Sequence, residues 1–297
     1  MPNGRILIGT SSWADPGFVE EWYPPDLPPR DRLRWYAERF EAVEVNATWY
    51  ALPAEHTTAH WDEQTPDGFT FDIKLHRLLS RHGGRVDSLP PDLREEAEFA
   101  SRGRVRLTPR LEAALIERTL EGIEPLARTG KLGAFLLQLS PSFEPRKHVL
   151  SELDALVDRL APHPVAVEFR HRAWLRGEQL ERTLGHLDAI GAVFVCVDAP
   201  RGRQVTLLPP VDAITDRRLA YFRAHGRNAE GWAKGKTVAD RFGWEYSDAE
   251  LEEIRGRVQA LAQEVPAVRL MFNNNRGADA PRAAERFREL TGQAQAA

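Results

Sequence analysis

Eight short apolar segments recur along this chain, and nearly all of them end in a polar or charged side chain. In order they read ILIGTSSW, AVEVN, FTFDIKL, GAFLLQL, VAVEFR, VFVCVD, LAYFRAHG and VRLMFNN. Nearly continuous apolar runs, such as Val165 to Arg170 and Val193 to Asp198, are typical of parallel strands covered by helices. A closed parallel barrel places the carboxyl ends of all its strands at one mouth, which would bring these polar endings together.

Segments with helical periodicity alternate with the apolar runs. Apolar residues repeat at helical spacing from Leu33 to Phe40, from Leu150 to Leu160 and from Leu251 to Leu261. This alternation fits either an open doubly wound sheet or a closed barrel, and the count of eight strands favours the barrel. We therefore predict a single α/β domain over residues 1–291, a TIM-type (β/α)8 barrel, and a frayed tail over residues 292–297.

Two connections depart from the regular alternation. The segment from His76 to Pro109 is too long for a simple connection and is rich in glycine and proline. Because it follows the carboxyl end of the third strand, we predict a loop excursion over the mouth. The connection from Arg201 to Arg217 contains prolines and has weak periodicity, so we expect no full helix there.

The composition narrows the class of protein. A net charge of −4 over 297 residues argues against a surface coated in positive charge for nonspecific nucleic-acid binding. The only cysteine, Cys196, excludes an intramolecular disulfide, and we predict that it packs in the core. No apolar run approaches the ~20 residues that span a bilayer, and no N-terminal segment is typical of a secretory signal. We therefore predict no membrane contact and a cytoplasmic location.

Several strand endings carry side chains suited to proton transfer. Glu44 and Glu168 lie late in apolar strands, where an isolated buried carboxylate would be strongly unfavourable. Asp198 ends the sixth strand and His225 follows the seventh, and a histidine near a carboxylate is a common arrangement for proton transfer near neutral pH. We predict Glu44, Glu168, Asp198 and His225 as catalytic residues. Structural ion pairing of the carboxylates is the alternative.

A second set of residues predicts binding of an anionic or polyhydroxylated ligand. Lys74, Arg170 and Arg223 would converge as cations from the third, fifth and seventh strands, unless they are solvated rim charges. Aromatic side chains near the same strand ends could stack on a sugar or a base, although core packing is commoner for a single tryptophan. The predicted substrate-binding residues are Trp13, Asn46, Tyr50, Lys74, Gln138, Arg170, Trp174, Arg223, Asn273 and Asn274.

The sequence predicts no cofactor and no metal. It contains neither a G-x-G-x-x-G segment nor a Walker phosphate loop, which weakens a nucleotide-cofactor or ATPase function. Only one histidine clearly ends a strand, which is few for a multinuclear metal site. A single divalent metal held by Glu44, Glu168 and Asp198, with His76 or His82 reaching in from the long loop, is the alternative.

The ordered motifs of this chain resemble those of the YecE-like family, also known as domain of unknown function 72. The resemblance covers nearly the whole chain and implies a TIM-type barrel. It implies no particular reaction, since the activity of the family is largely unassigned; a likeness to barrel endonucleases that act on damaged DNA has been suggested at the level of fold. The matching motifs include Gly9 to Trp13, Val43 to Asn46, Gln138-Leu139, Val167 to Arg170, Arg223 to Asn228 and Phe272 to Asn274.

Three functional hypotheses follow from the residues. The first is a metal-independent hydrolase or isomerase that uses Glu44 or Glu168 with His225 on a phosphorylated or sugar-like substrate. The second is a nucleic-acid-binding protein or phosphodiesterase, because the loop from His76 to Arg110 has eight arginines against five acidic residues. The third is a noncatalytic small-molecule sensor. The sequence predicts no oligomeric state.

Overall fold

A closed barrel of eight parallel strands forms the centre of the structure, as predicted. The structure is a computed structural model that describes residues 4–95 and 97–293. Each strand pairs in parallel with the next one along the chain, and the first strand closes the barrel against the eighth. The strands are β1 (Arg5–Thr10), β2 (Ala42–Val45), β3 (Thr70–Lys74), β4 (Leu132–Gln138), β5 (Val165–Glu168), β6 (Val193–Asp198), β7 (Ala220–Ala224) and β8 (Ala267–Phe272).

Helices separate most of the strands and cover the outside of the barrel. The predicted periodic segments correspond to α2, to α6 with the short 3-10 turn before it, and to α10. The α-helices of the described residues are α1 (Pro16–Glu21), α2 (Arg32–Ala37), α3 (Glu55–Glu63), α4 (Pro91–Arg94), α5 (Pro109–Arg128), α6 (Asp154–Leu160), α7 (Glu178–Ala189), α8 (Ala229–Lys234), α9 (Val238–Phe242), α10 (Asp248–Ala262) and α11 (Asp279–Thr291).

Local sequence signals set where the two longest helices begin. Thr108 caps α5, since its hydroxyl accepts a hydrogen bond from the Leu111 amide at 3.2 Å, and Pro109 occupies the first helical position. Ser247 caps α10, and Glu250 reaches back to the Ser247 amide at 2.9 Å. Each cap satisfies amide groups that would otherwise lack a partner.

The interior of the barrel contains buried charged residues as well as apolar ones. Asp72 on β3 accepts a hydrogen bond from Arg269 on β8 at 2.7 Å, and both side chains are buried. The Tyr221 hydroxyl lies 3.0 Å from Asp72 Oδ2 and 3.0 Å from Glu44 Oε2. Burial raises the pKa of Asp72 to about 6. These hydrogen bonds connect Arg269 and Asp72, inside the barrel, to Glu44 near its mouth.

The long connection after β3 matches the predicted excursion. It contains α4 and two short 3-10 turns, and α5 follows it at Pro109. The buried His76 side chain lies 3.1 Å from the Ser88 carbonyl oxygen, so this histidine holds the loop together. Between β6 and β7, the described residues form no helix, again as predicted.

Two further expectations concern the chain as a whole. No helix of the described residues has the length and apolarity that crossing a membrane requires. The buried Cys196 lies in β6, which agrees with its predicted packing role. Residues 294–297, within the predicted frayed tail, lie outside the described residues.

Candidate functional site

The guanidinium group of Arg223 lies between two carboxylates near the end of the barrel where the strands terminate. Its Nη2 donates to Glu44 Oε1 at 2.5 Å, and its Nη1 donates to Glu168 Oε2. Nη1 also donates to Gln138 Oε1 at 2.9 Å. All three charged side chains are fully buried. Glu44 and Glu168 are therefore paired in the structure, with Arg223 as their shared partner.

Of these two carboxylates, Glu168 has the larger number of charged or hydrogen-bonding partners. Arg170 Nη1 donates to its Oε1 at 2.7 Å, and His225 Nε2 lies 3.2 Å from the same oxygen. Burial alone would raise the pKa of Glu168, but the charges of Arg223 and Arg170, together with the hydrogen bond from His225, outweigh it and hold the pKa well below its usual range. Glu168 is thus ionised at neutral pH and is unsuited to act as a general acid.

The same contacts fix the protonation of His225. Burial lowers the pKa of His225 to about 4, so the ring is neutral at pH 7. An ionised carboxylate can only accept, so His225 Nε2 carries the proton and donates to Glu168. Nδ1 then accepts a hydrogen bond from Asn273 Nδ2 at 2.9 Å. The imidazole is held as one neutral tautomer, and Asn273 links it to the mouth.

Lys74 differs from the other cations of the site. Its Nζ donates to Gln138 Oε1 at 3.2 Å, but it forms no ion pair with the part of the chain that the structure describes. Burial, reinforced by the positive charge of Arg223, lowers the pKa of Lys74 to about 7. Lys74 can therefore exchange a proton near neutral pH.

A cavity of about 460 Å³ opens at this end of the barrel, a volume within the range of small-molecule sites. We call it the mouth pocket. Below it lies the buried cluster of Glu44, Glu168, Arg223 and His225. Four residues connect the pocket to this cluster: Lys74, Gln138, Arg170 and Asn273. Its lining residues are Ser11, Ser12, Asp15, Asn46, Trp49, Tyr50, Lys74, His82, Gln138, Arg170, Phe242, Asn273 and Asn275.

Several lining residues carry a buried polar atom without a hydrogen-bond partner among the described residues. These atoms are Ser11 Oγ, Asn46 Oδ1, Trp49 Nε1, His82 Nε2 and Asn275 Oδ1. Buried polar atoms in proteins are nearly always hydrogen-bonded, so a cluster of exceptions at one cavity needs an explanation. A polar ligand with both donors and acceptors would satisfy them.

The structure brings most of the predicted site residues to one place. The predicted residues that line the mouth pocket are Asn46, Tyr50, Lys74, Gln138, Arg170 and Asn273. Those in the buried cluster beneath it are Glu44, Glu168, Arg223 and His225. The strand endings therefore do converge, but the two predicted catalytic glutamates are buried and do not line the pocket.

Three predicted binding residues do not line the mouth pocket. Trp13 packs edge-on against Trp61, with 5.2 Å between the ring centroids. Trp174 is buried, and its Nε1 donates to the Phe143 carbonyl at 2.7 Å. Asn274 donates to the Trp244 carbonyl at 2.8 Å. These three side chains point elsewhere, because proximity to a strand end does not determine the direction of a side chain.

Asp198, predicted as a catalytic residue, also lies outside the mouth pocket. Its carboxylate accepts hydrogen bonds from Arg227 Nη2 at 2.9 Å and from the Tyr246 hydroxyl at 2.8 Å, and Arg257 lies 3.4 Å away. Asp198, Arg227 and Arg257 line a separate cavity of about 390 Å³ beside α10. Cys196 and Asp198, two residues apart on β6, both face this outer side, toward Arg257. The carboxylate that contacts His225 is Glu168.

The positions of these carboxylates also concern the alternative of a single divalent metal held by Glu44, Glu168 and Asp198. The set of Glu44, Glu168 and Asp198 is not assembled, because Asp198 faces the outer cavity and both glutamates bind Arg223. Across residues 4–95 and 97–293, no group of three or more histidine, cysteine, aspartate or glutamate side chains is arranged as metal ligands.

An Asp198→Asn substitution tests whether the cavity beside α10 is independent of the mouth pocket. Because Arg227 and Arg257 would lose a buried anionic acceptor, we expect the free energy of unfolding to fall by about 1–3 kcal/mol. Phosphate affinity at the mouth pocket should not change. Chemical denaturation and calorimetric titration measure the two quantities. Glu253→Gln, at an exposed partner of Arg227, is the control and should have a much smaller effect on stability.

The predicted binding residues omit seven of the lining residues, among them Trp49 and His82. Four others come shortly after a strand: Ser11, Ser12 and Asp15 follow β1, and Asn275 lies two residues beyond Asn273. The search for polar residues at strand ends could therefore have included them. Phe242 comes from the end of α9, far from any strand ending. Only the tertiary structure brings it to the pocket.

Comparison with family models and with known proteins gives consistent results. The model of the family described as "Protein of unknown function DUF72" matches residues 7–297. The protein YunF of Bacillus subtilis strain 168 is 30% identical over 289 residues, which cover 96% of this chain and 94% of YunF. YecE of Escherichia coli K12 is 30% identical over 185 residues, or 60% of this chain and 53% of YecE.

Two solved structures have the same fold. A crystal structure of a DUF72 family protein from Enterococcus faecalis V583 aligns with a TM-score of 0.78 at 25% identity, over 99% of this chain and 100% of that chain. A DUF72 family protein from Thermotoga maritima MSB8 aligns with a TM-score of 0.75 at 27% identity, over 97% of this chain and 99% of that chain. Both likenesses extend over essentially the full barrel.

Proposed function

The chain belongs to the DUF72 family of proteins of unknown function, and we propose that it is an enzyme that performs acid–base chemistry on an anionic, phosphorylated or sugar-like substrate. The substrate would bind in the mouth pocket. The observation that carries the proposal is that two cations, Lys74 and Arg170, share this pocket with five buried polar atoms that have no described partner.

Arg170 would bind the anionic part of the substrate, and Lys74 would add a positive charge when it is protonated. Arg170 uses Nη1 to contact Glu168, and its guanidinium carbon lies 5.1 Å from the centre of the Trp232 ring. These contacts orient a guanidinium that still has further N–H groups for an anion. Asn46 and Asn273 supply amide groups suited to hydroxyls or carbonyls. Such a pocket favours a small organic anion with several polar substituents.

The geometry changes the roles that the sequence suggested for the acid–base residues. Glu44 and Glu168 are ion-paired below the pocket and would set its electrostatic potential. His225 would position Asn273 through their hydrogen bond. Lys74 lies at the pocket with a pKa near 7, so it is the residue best suited to exchange a proton with the substrate. Hydrolysis and isomerisation both fit this arrangement.

The direct test is binding of inorganic phosphate at pH 7, measured by titration calorimetry. Arg170→Met should weaken phosphate binding by about 10- to 100-fold, because a charged hydrogen-bond donor contributes about 1.5–3 kcal/mol. Arg34→Met removes an exposed arginine from α2 and should leave the affinity unchanged. Equal affinities of wild type and Arg170→Met would contradict the proposed site.

Turnover distinguishes an enzyme from a sensor. Wild-type protein should convert at least one member of a panel of sugar phosphates followed by phosphorus NMR. Saturable binding to the panel without conversion of any member would instead favour the noncatalytic sensor.

The nucleic-acid hypothesis receives less support from the basic loop. Arg77 donates to the Gly83 carbonyl at 3.0 Å, and Arg94 donates to the Leu89 carbonyl at 2.9 Å. Arg81 pairs with Glu112 at 2.6 Å. Guanidinium groups held in this way are less available to a phosphate backbone than the arginine count alone indicates.

A further inference from the structure

We propose that Lys74 is a nucleophile that forms an imine with the carbonyl carbon of an anionic aldehyde or ketone bound in the mouth pocket. The inference deepens the proposed function and rests on it, because it names the substrate class of the same site. It rests first on the position of Lys74, which lines the pocket at the carboxyl end of β3 and has no carboxylate partner among the described residues.

Both carboxylates of the buried cluster are already paired with another residue. Glu44 and Glu168 are the acidic residues of the cluster, and both bind the guanidinium of Arg223. Lys74 is left with one neutral acceptor, Gln138 Oε1, at 3.2 Å. That acceptor is shared with Arg223. Lys74 Nζ also lies 5.8 Å from the centre of the Trp49 ring, which is a weak cation–π contact at that distance. No described carboxylate pairs with Lys74 as an ammonium ion.

The charges around Lys74 favour a neutral amine. Arg223 on β7 and Arg170 after β5 disfavour its positive charge, as does burial, whereas Glu44 on β2 and Glu168 on β5 favour it. His82 faces the same pocket from the long loop and is neutral at pH 7, since burial lowers its pKa to about 4. A lysine that is desolvated and close to other cations is the type that serves as an amine nucleophile.

The proposed step balances without an additional reagent. The neutral amine of Lys74 attacks the carbonyl carbon, and a C–N bond forms to give a carbinolamine. The carbon–oxygen bond then breaks, and the oxygen leaves as water with the two protons that the amine nitrogen loses. The product is an imine, which acidifies the adjacent C–H bond of the substrate and so fits proton transfer of the kind proposed above.

The rest of the pocket suits the same substrate class. Arg170 would bind the anionic group, as in the proposed function. The unpartnered atoms of Ser11, Asn46 and Trp49 offer two acceptors and a donor for hydroxyl groups. The volume of about 460 Å³ accommodates a small phosphorylated sugar.

Reductive trapping tests the inference. Wild-type protein is incubated with D-glyceraldehyde 3-phosphate and sodium cyanoborohydride, which delivers hydride to an imine carbon and makes the adduct permanent. Peptide mass mapping should place the adduct at Lys74 at least tenfold faster than at Lys147 or Lys234, which are exposed amines of the same chain. Excess inorganic phosphate should suppress the Lys74 adduct but not the others.

Two variants and one pH series complete the experiment. Lys74→Arg should abolish the fast adduct, and Lys147→Arg should retain it. The trapping rate should rise as the pH increases through 7, because the neutral amine is the reactive form. Trapping at Lys74 no faster than at Lys147, in protein that binds phosphate, would overturn the inference and leave the proposed function standing. Failure of wild type to bind phosphate would overturn the proposed function itself.

Discussion

Replacing Arg223 with methionine is expected to lower the free energy of unfolding by about 3–5 kcal/mol at pH 7.5. The reason is that Glu44 and Glu168, both fully buried, share this one guanidinium. Without it, two carboxylates would remain in the barrel interior with no neutralising partner of comparable strength. Denaturant unfolding followed by tryptophan fluorescence measures the change.

The pH dependence of this variant follows from the same ion pairs. In the wild type, cations depress the pKa of Glu168, so its ionised form stabilises the fold above the unfolded-state pKa, and this contribution is lost only as the pH falls through the folded-state value. In Arg223→Met the largest charge that lowers the pKa of Glu168 would be gone, and burial would raise this pKa. The stability loss should therefore be smaller at pH 5 than at pH 7.5.

Two further proteins control for this result. Arg34→Met removes an exposed arginine from α2 and should change stability by less than about 0.5 kcal/mol. Adding Glu44→Gln and Glu168→Gln to Arg223→Met removes the uncompensated charges and should recover much of the lost stability. A loss below about 1 kcal/mol for Arg223→Met at pH 7.5 would show that the cluster is not the buried ion-pair system described above.

Sulfate affinity at the mouth pocket is expected to fall by up to about 100-fold between pH 6 and pH 9. Sulfate stays a dianion across this range, so the change must come from the protein. Lys74, with a pKa of about 7, is protonated at the lower pH and contributes a positive charge to the bound anion. At pH 9 most molecules would first have to take up a proton. Titration calorimetry at several pH values measures the effect.

Substitutions at the two pocket cations distinguish the source of the pH dependence. Lys74→Arg keeps a permanent positive charge, so its sulfate affinity should vary little with pH. Arg170→Met should bind more weakly and should still show the pH dependence, with the fall in affinity shifted to higher pH because Arg170 lowers the pKa of Lys74. His82 and His225 have pKa values of about 4 and should not contribute in this window. A flat profile for the wild type would contradict the assignment of Lys74 as the titrating group.

The barrel could be predicted from the sequence because its signal repeats. Each strand is a run of four to seven residues with an apolar pattern, and each of the eight runs identified in the sequence overlaps one of the strands β1 to β8. Burial on both faces demands such runs, since only apolar side chains can fill the space between a strand and its covering helix. The helix boundaries agree less closely with the sequence pattern. For example, α2 ends at Ala37, although the apolar pattern continues to Phe40.

The members of the site were predicted better than their arrangement. Ten of the fourteen predicted residues lie in the mouth pocket or in the cluster below it, because parallel strands must end at the same mouth. Asp198 was misplaced since its neighbours on the outer side of β6 are not visible in a linear pattern. Phe242 was missed because it reaches the pocket from α9 rather than from a strand ending.

The sequence by itself determined that this chain forms an eight-stranded parallel barrel and that carboxylates, cations and amides gather at one end of it. These properties follow from periodicity and strand direction, which are local in the chain. Only the tertiary structure decided which charge pairs with which. Arg223 lies 179 residues from Glu44 and 55 from Glu168, yet it binds both and leaves Lys74 without a carboxylate. Ion pairing depends on distances across the barrel, and those distances set the protonation of Lys74 and His225 on which the proposed chemistry rests.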